Sequence, residues 1–282
     1  MIMVHGSVLP ADSPATPPVL DSMPSAPDFA APTRPLSAWL AGRIDWPGYA
    51  RLAERLAGEA ALPGGRHPTL VVFELEPCIT IGRLGSRADI LMPDEELQSR
   101  RLTLRFTGRG GGAVAHGPGQ VCVAMFAALA DLGLGPHAVG ECLERFERGL
   151  AAALRALKAG PVRHADTPGI FGRTGLLAAV GLAVRRGVVA HGGFVNVGPA
   201  LEVHGRVVAS RRAAGNGGVI TATMGSVEAD IQRRVRLQDA RTAIIEQLAD
   251  AFGFSQTHIH SGFPAAAVAA GPSLSGAVSR VG

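Results

Sequence analysis

The sequence RGGGAVAHGPGQ at residues 109–120 is the most informative part of the chain, because five glycines and one proline surround a single histidine, His116. Glycine has no Cβ atom, so a backbone rich in glycine can come close to a ligand. The uninterrupted apolar run Val121–Ala130 follows directly and predicts a buried strand that holds the loop in place. The pattern therefore predicts a rigid binding loop.

The segments around this loop predict an α+β domain. Asp45 before Trp46-Pro47 is typical of a helix start. Apolar residues spaced by three and four along 139–157 predict a long amphipathic helix, and a similar pattern predicts a last helix within 237–252. Strands are predicted at Thr69–Leu75, Ile79–Ile81, Leu102–Phe106 and in short pieces between Val162 and Val208. Strands, a helix, more strands and a helix favour the α+β class.

The two ends of the chain differ in composition from its centre. Residues 1–35 contain eight prolines among Ala, Ser and Asp, which are too poor in large apolar groups to form a packed element. Residues 263–282 are mainly Ala, Gly, Ser and Val. We therefore expect a disordered arm at 1–35, one domain at 36–262 and a flexible tail at 263–282.

Composition argues against several classes of function. The formal charge of +4 comes from scattered arginines, without the basic runs and aromatics of nucleic-acid binding. The longest apolar run has ten residues, against the roughly 20 that a membrane helix needs. Cys78, Cys122 and Cys142 lack metal-ligand spacing, and the only lysine, Lys158, is not in a phosphate-binding motif. We expect a soluble cytoplasmic protein without metal, nucleic acid or membrane.

Four segments of the chain, in order, resemble the octanoyltransferases of lipoate biosynthesis, within the wider group of lipoate and biotin protein ligases. They are FELEPCITIGR at 73–83, the loop at 109–120, TPGIF at 167–171 and HGGFVNV at 191–197. The resemblance implies a mixed β-sheet flanked by helices. It also implies transfer of a medium-length acyl chain from an acyl carrier protein to a lysine of a lipoyl domain, with no cofactor.

The resemblance also implies a divergent member. The family's two half-reactions use a cysteine thioester and a nearby lysine, and the lysine position corresponds to Leu176 in LLAAVG at 176–181. An ungapped count from His191 places the cysteine at Ser210, and a different gap places it at Ala213 or Gly215. Leucine carries no charge and has no proton to exchange, and a serine hydroxyl needs an adjacent base before it can attack a carbonyl.

The resemblance assigns candidate site residues as follows. His116 is a candidate catalytic residue that orients an acyl carbonyl or moves a proton, and Ser210 is a candidate nucleophile. The alternative for His116 is a turn histidine satisfied by backbone, and buried cysteines commonly act as small hydrophobes. The candidate substrate-binding residues are Arg109, Gly110, Gly111, Gly117, Gly119, Gln120, Gly181, His191, Gly192 and Asn196.

Two functions of different class remain open at this point. The first is an acyltransferase of non-standard or weakened mechanism, which uses the glycine-rich loop with another nucleophile or with direct transfer. The second is a non-catalytic descendant that binds an acyl carrier or a lipoyl domain. Residual acceleration of roughly 10³ to 10⁴ can survive loss of an enzyme's reacting side chains, so weak turnover does not separate them.

Overall fold

A computed structural model describes residues 31–164, 167–213 and 219–265, without the side chains of 167–168, 210–213 and 219–222. The helices are α1 (Trp46–Ala60), α2 (Asp94–Ser99), α3 (Val139–Ala156), α4 (Leu201–His204), α5 (Val227–Ile231) and α6 (Leu237–Phe252). The strands are β1 (Leu36–Ile44), β2 (Thr69–Leu75), β3 (Cys78–Ile81), β4 (Thr103–Phe106), β5 (Ala113–His116), β6 (Gln120–Ala128), β7 (Val162–His164), β8 (Thr167–Gly172), β9 (Gly175–Arg185), β10 (Val188–Asn196), β11 (Ser210–Ala213), β12 (Val219–Ala222) and β13 (Thr257–Ser261).

Eight strands form the main sheet in the order β13-β1-β2-β6-β10-β9-β8-β7. Strand β1 pairs in parallel with β13 and β2, whereas β6 runs antiparallel to both β2 and β10. Strands β3, β4 and β5 form a separate small sheet, and β11 pairs with β12. The predicted α+β architecture, a mixed sheet flanked by helices, is confirmed.

Alternation along β6 divides the interior into two clusters. Val121, Val123 and Met125 belong to the cluster under α3 and α6, which we call the helix-covered face. Cys122 and Phe126 belong to the cluster with α1 and the small sheet, which we call the site face. Successive side chains of a strand point to opposite faces, so one apolar run supplies both clusters.

Most predicted element boundaries are confirmed to within a residue or two. Asp45 caps α1 by accepting a hydrogen bond from the Gly48 amide at 2.9 Å. The predicted helix at 139–157 is α3, although Val139 at its first turn is exposed rather than part of the buried stripe. The first turn of α3 is not covered by neighbouring elements, and sequence periodicity alone does not show where along a helix such cover begins.

The predicted arm at 1–35 and tail at 263–282 lie largely outside the described residues. Where the chain is described, Arg55 donates a hydrogen bond to the Pro264 carbonyl at 2.5 Å, which holds the chain beyond β13 against α1. None of the helices in the described ranges combines the length and the apolarity needed to cross a membrane.

Candidate functional site

A cavity of about 220 Å³ opens on the site face, between α1, the main sheet and the glycine-rich loop. Its lining is mostly apolar. Tyr49 comes from α1, and Arg109 and His116 come from the glycine-rich loop and β5. His191 lies on β10. The apolar part of the wall consists of Trp46, Phe73, Leu75, Leu84, Val114, Cys122, Val123, Leu176, Ala179, Val180, Phe194, Val208 and Ala209.

The loop at 109–112 is fixed by its own arginine. The Arg109 guanidinium donates to the Thr80 hydroxyl at 2.7 Å, to the Thr80 carbonyl at 3.0 Å and to the carbonyls of Gly110 and Gly112 at 2.9 and 3.0 Å. Burial lowers the pKa of Arg109 to about 10, a value at which it stays charged at neutral pH. Arg109 therefore holds the loop in shape from inside.

Several glycines around the loop are needed because a neighbouring backbone leaves no room for a Cβ atom. The Gly110 amide donates to the Leu182 carbonyl at 3.0 Å, which ties the loop to β9. A Cβ at Gly181 would lie 2.7 Å from the Gly110 carbonyl, and one at Gly82 would lie 2.4 Å from the Gly111 carbonyl. At the second turn, Gly119 has φ +86° and its amide donates to the Glu74 carboxylate at 3.0 Å.

His116 lies in a chain of buried hydrogen bonds. The Gln120 amide nitrogen donates to the Ala115 carbonyl and to Asn196 Oδ1, at 3.0 and 2.9 Å. The Gln120 Oε1 atom therefore accepts from His116 Nδ1 at 2.6 Å, and His116 Nε2 accepts from the Thr80 hydroxyl at 2.9 Å. Every donor in this series of hydrogen bonds meets an acceptor only if the hydrogen of His116 is on Nδ1. The series therefore assigns the Nδ1–H tautomer to His116.

This chain of hydrogen bonds limits what His116 can do chemically. Burial, followed by the charge on Arg109, lowers the pKa of His116 to about 3, so the ring is neutral at physiological pH. Both ring nitrogens already have protein partners. The ring forms part of the cavity wall, but neither nitrogen is available to move a proton unless the hydrogen bonds rearrange.

His191 is the other histidine of the cavity and is held differently. Its Nδ1 lies 2.9 Å from the Tyr49 hydroxyl, and its backbone has φ +64°. A non-glycine residue in this region is strained by roughly 1–3 kcal/mol and is typical of functional sites. Burial and the neighbouring charges of Arg109 and Arg185 lower the pKa of His191 to about 4. The ring is therefore neutral at physiological pH.

The structure brings together some of the predicted site residues and separates others. Arg109, Gly111, His116, Gly181, His191, Gly192 and Leu176 line the cavity. Gly110, Gly117, Gly119, Gln120 and Asn196 are not part of its lining, and Gln120 and Asn196 are fully buried behind it. The Asn196 amide donates to the Leu176 carbonyl at 3.1 Å, so these two residues support the wall.

The described residues include only the backbone of Ser210, at the start of β11. Its side chain lies outside the description, as do Gly215 and the side chain of Ala213, the alternative positions for the cysteine. Ala209, the residue before Ser210, lines the cavity.

Sequence reasoning did not assign Tyr49 or Thr80 to the site. The periodicity after Asp45 makes Tyr49 an apolar-face residue of the first helix, and Thr80 lies inside the predicted strand Ile79–Ile81. Tyr49 is the only tyrosine of the chain, yet no local pattern shows that α1 lies across β10. Nothing in the sequence pairs Thr80 with His116, since that contact depends on the register of β3 against β5.

The three cysteines are buried and free, and burial raises the pKa of each thiol, to about 12 for Cys78 and Cys142. Cys122 lines the cavity with its sulfur 3.8 Å from His116 Nδ1. A thiol that remains protonated at neutral pH is a weak nucleophile. Within the described ranges, no group of three or more His, Cys, Asp and Glu side chains could hold a metal ion.

The profile of the lipoyl protein ligase A/B catalytic domain matches residues 51–249. The chain belongs to this family. Among its relatives, a mitochondrial octanoyltransferase of Arabidopsis thaliana is 26% identical over 62% of this chain and 73% of that protein. An octanoyltransferase of Geotalea uraniireducens is 29% identical over 72% and 86% of the two chains. One of Porphyromonas gingivalis is 32% identical over 57% of this chain, which spans only 34% of that relative.

Solved structures of the family share the fold. A crystal structure of lipoate-protein ligase A bound with ATP has a TM-score of 0.60, with 14% identity over 80% of this chain and 88% of the other. A bi-partite lipoate protein ligase from Thermoplasma acidophilum, studied with its E2 lipoyl domain, has a TM-score of 0.56, with 14% identity over 80% and 87%. These likenesses confirm the predicted lipoate and biotin ligase fold.

Proposed function

We propose that this protein moves an octanoyl or similar acyl group from an acyl carrier protein to the lysine of a lipoyl domain. The observation that supports this function best is that His116 and His191 line the same cavity, whose walls are mostly apolar. Burial of a methylene contributes roughly 0.8 kcal/mol, so such a wall binds an unbranched acyl chain without charged anchors. Octanoyltransferases are also the relatives found for the chain.

The reaction is an acyl exchange at a thioester carbonyl. In direct transfer, the acceptor amine attacks the carbonyl carbon, the carbon–sulfur bond breaks, and the amine proton passes to the departing thiolate. In a two-step route, a protein hydroxyl or thiol is acylated first and the amine then displaces it. We propose a lipoyl domain as the acceptor because the Thermoplasma ligase was studied with its E2 lipoyl domain. We propose a carrier-bound acyl donor because the family resemblance implies it.

The mechanism proposed for this chain is weaker than that of its relatives. Leu176, which the resemblance places at the lysine position, is a buried apolar part of the cavity wall. Ser210 follows Ala209 of the wall and is the candidate nucleophile for the two-step route. Neither histidine is charged at neutral pH, so general acid catalysis by an imidazolium is not part of the mechanism.

A second function, binding without catalysis, is favoured by the same Leu176. A cavity that retains its shape but offers an alkyl group where a cation assists the reaction could hold an acyl chain without releasing it to an acceptor. In this case the protein would bind an acyl carrier or a lipoyl domain.

Intact mass spectrometry separates the two functions. The protein is incubated with octanoyl carrier protein and then with a lipoyl domain, and each protein is weighed. Transfer to the lipoyl domain, or an octanoyl adduct on Ser210 or Cys122, supports the enzyme, and Ser210→Ala then tests the nucleophile. Carrier binding with neither product supports the binder, and absence of both contradicts the proposed function. Leu176→Lys with Ser210→Cys tests whether the cavity remains competent, with Leu176→Met as the control.

A further inference from the structure

We propose that His191 donates a hydrogen bond from Nε2–H to the acyl carbonyl oxygen in the cavity, and that Tyr49 is the positioning residue that fixes this tautomer. This inference rests on the proposed acyl transfer, for which it names a carbonyl-stabilising donor. It replaces His116, the catalytic histidine expected from the sequence, with the histidine whose second nitrogen is still available.

The Tyr49 hydroxyl has a fixed position. Its ring stacks on Phe73 with centroids 4.8 Å apart and planes inclined by 22°. The centroid of the Trp46 ring lies 5.4 Å from that of Tyr49. Tyr49 is only 5% exposed. The ring cannot turn without losing these contacts, so the hydroxyl stays 2.9 Å from His191 Nδ1.

The direction of this hydrogen bond follows from its surroundings. Among the described residues, the partner of the Tyr49 hydroxyl is His191 Nδ1. If Nδ1–H donated to the phenol, the buried O–H would have no acceptor among the described residues, at a cost of roughly 1–3 kcal/mol. If the phenol donates to Nδ1, both groups are satisfied. The hydrogen of the neutral imidazole is then on Nε2.

The ring of His191 lines the cavity, and no described residue accepts a hydrogen bond from its Nε2. Arg109 and Arg185 lie close enough to oppose protonation of the ring, and Tyr49 is the titratable group in contact with it. Both ring nitrogens of His116, in contrast, are hydrogen-bonded, Nε2 to Thr80 and Nδ1 to Gln120. Among the hydrogen bonds of the described residues, none engages His191 Nε2, so His191 can donate to a ligand without breaking any of them, whereas His116 cannot.

The backbone holds His191 where this donor is needed. Its φ of +64° is retained between tightly packed neighbours, because a Cβ at the next residue, Gly192, would lie 2.1 Å from the Val123 carbonyl. As the acceptor attacks the thioester, negative charge grows on the carbonyl oxygen. The Nε2–H group hydrogen-bonds to that oxygen and keeps its proton, while the carbon–sulfur bond breaks and the thiol leaves with the amine proton.

Nitrogen-15 NMR of histidine-labelled protein tests the tautomer without any turnover. We expect Nε2 of His191 to carry the hydrogen and Nδ1 to accept, and octanoyl-pantetheine should shift the Nε2 signal. Tyr49→Phe keeps the ring stacking and should give a mixture of the two tautomers. Thr80→Val is the matched control, since it removes the hydroxyl bonded to His116 and should change the His116 tautomer while the hydrogen of His191 stays on Nε2. A wild-type His191 with hydrogen on Nδ1 overturns the proposal, even if transfer occurs.

Kinetics complete the test. Loss of one oxyanion donor costs about 10²- to 10³-fold in kcat, so His191→Asn, which tolerates a positive φ, should lower kcat by that amount. Tyr49→Phe should lower kcat by less, and KM for the acyl donor should stay within about twofold in both. Unchanged kcat in both variants overturns the role of His191. If wild type shows no transfer at all, the proposed function fails, while the tautomer and the pantetheine-induced shift still test Tyr49 and His191.

Discussion

The helix-covered face and the site face of the main sheet share strands but differ in what they bury. On the helix-covered face, Val121, Val123 and Met125 of β6 pack with α3 and α6, where Phe146 meets Phe252 edge to face at 5.6 Å. On the site face, the same strand contributes to a cavity and to a line of buried hydrogen bonds.

This difference separates stability from function. Close packing of apolar groups on the helix-covered face stabilises the fold without needing specific partners. The site face leaves space unfilled and buries Thr80, His116, Gln120 and Asn196, each of which needs a partner. We expect substitutions on the first face to change mainly the free energy of unfolding, and those on the second to change mainly ligand binding and pH dependence.

The largest expected effect is on the helix-covered face. Leu150 of α3 is fully buried, so Leu150→Ala should lower the free energy of unfolding by about 2–5 kcal/mol. Binding of octanoyl-pantetheine should be unchanged at a temperature where the variant is folded. Urea denaturation and calorimetry measure the two quantities. A large loss of affinity in the folded variant would show that the faces are coupled.

The pH dependence should come from the site face. His116 and His191 have folded pKa values near 3 and 4, below the unfolded value of 6.5, so the unfolded chain binds more protons. The contribution of these two neutral histidines to the free energy of unfolding is fully present above pH 6.5. It is lost as the pH falls toward 4, by up to ~3 kcal/mol for His191. Urea midpoints between pH 7 and pH 4.5 should fall less steeply in His191→Asn. An equal slope in wild type and variant would contradict the assignment.

A smaller loss is expected at Thr80. Thr80→Val keeps the shape but removes the hydroxyl that accepts from Arg109 and donates to His116, at a cost of about 1–3 kcal/mol. Thr103→Val, on an exposed position of β4, is the matched control and should change stability by less than about 0.5 kcal/mol. Equal effects of the two changes in urea denaturation would mean that the hydrogen bonds of Thr80 do not stabilise the site face.

The smallest expected effect is a difference in thiol reactivity. Cys122 lines the cavity, whereas Cys142 lies in the helix-covered core. An octanoyl ligand should slow alkylation of Cys122 in the native protein and leave the rate at Cys142 unchanged. Peptide mapping after timed labelling measures both rates. Equal protection of both thiols would indicate a general tightening of the fold rather than occupancy of the cavity.

Local sequence patterns predicted much of the fold but only part of the site. The β-forming residues of β2, the apolar run of β6, the cap at Asp45 and the stripe of α3 each depend on residues close in sequence, and their elements were predicted correctly. The glycine-rich loop was predicted as a binding loop, and Arg109, Gly111 and Gly112 of this loop line the cavity. Gln120 and Asn196, expected to touch substrate, instead hydrogen-bond to each other behind the wall.

The sequence alone determined the alternation of strands and helices, the glycine-rich turns on either side of β5 and the family, since these depend on periodicity, glycine content and the order of motifs. That residues 113–116 inside the predicted loop form a strand depends on their pairing with β3. Only the tertiary structure decided which of the two histidines keeps a ring nitrogen without a partner among the described residues. Tyr49 and His191 are 142 residues apart, and the distance between them is set by how α1 packs across β10. Hydrogen-bond roles depend on such distances, which no local pattern specifies.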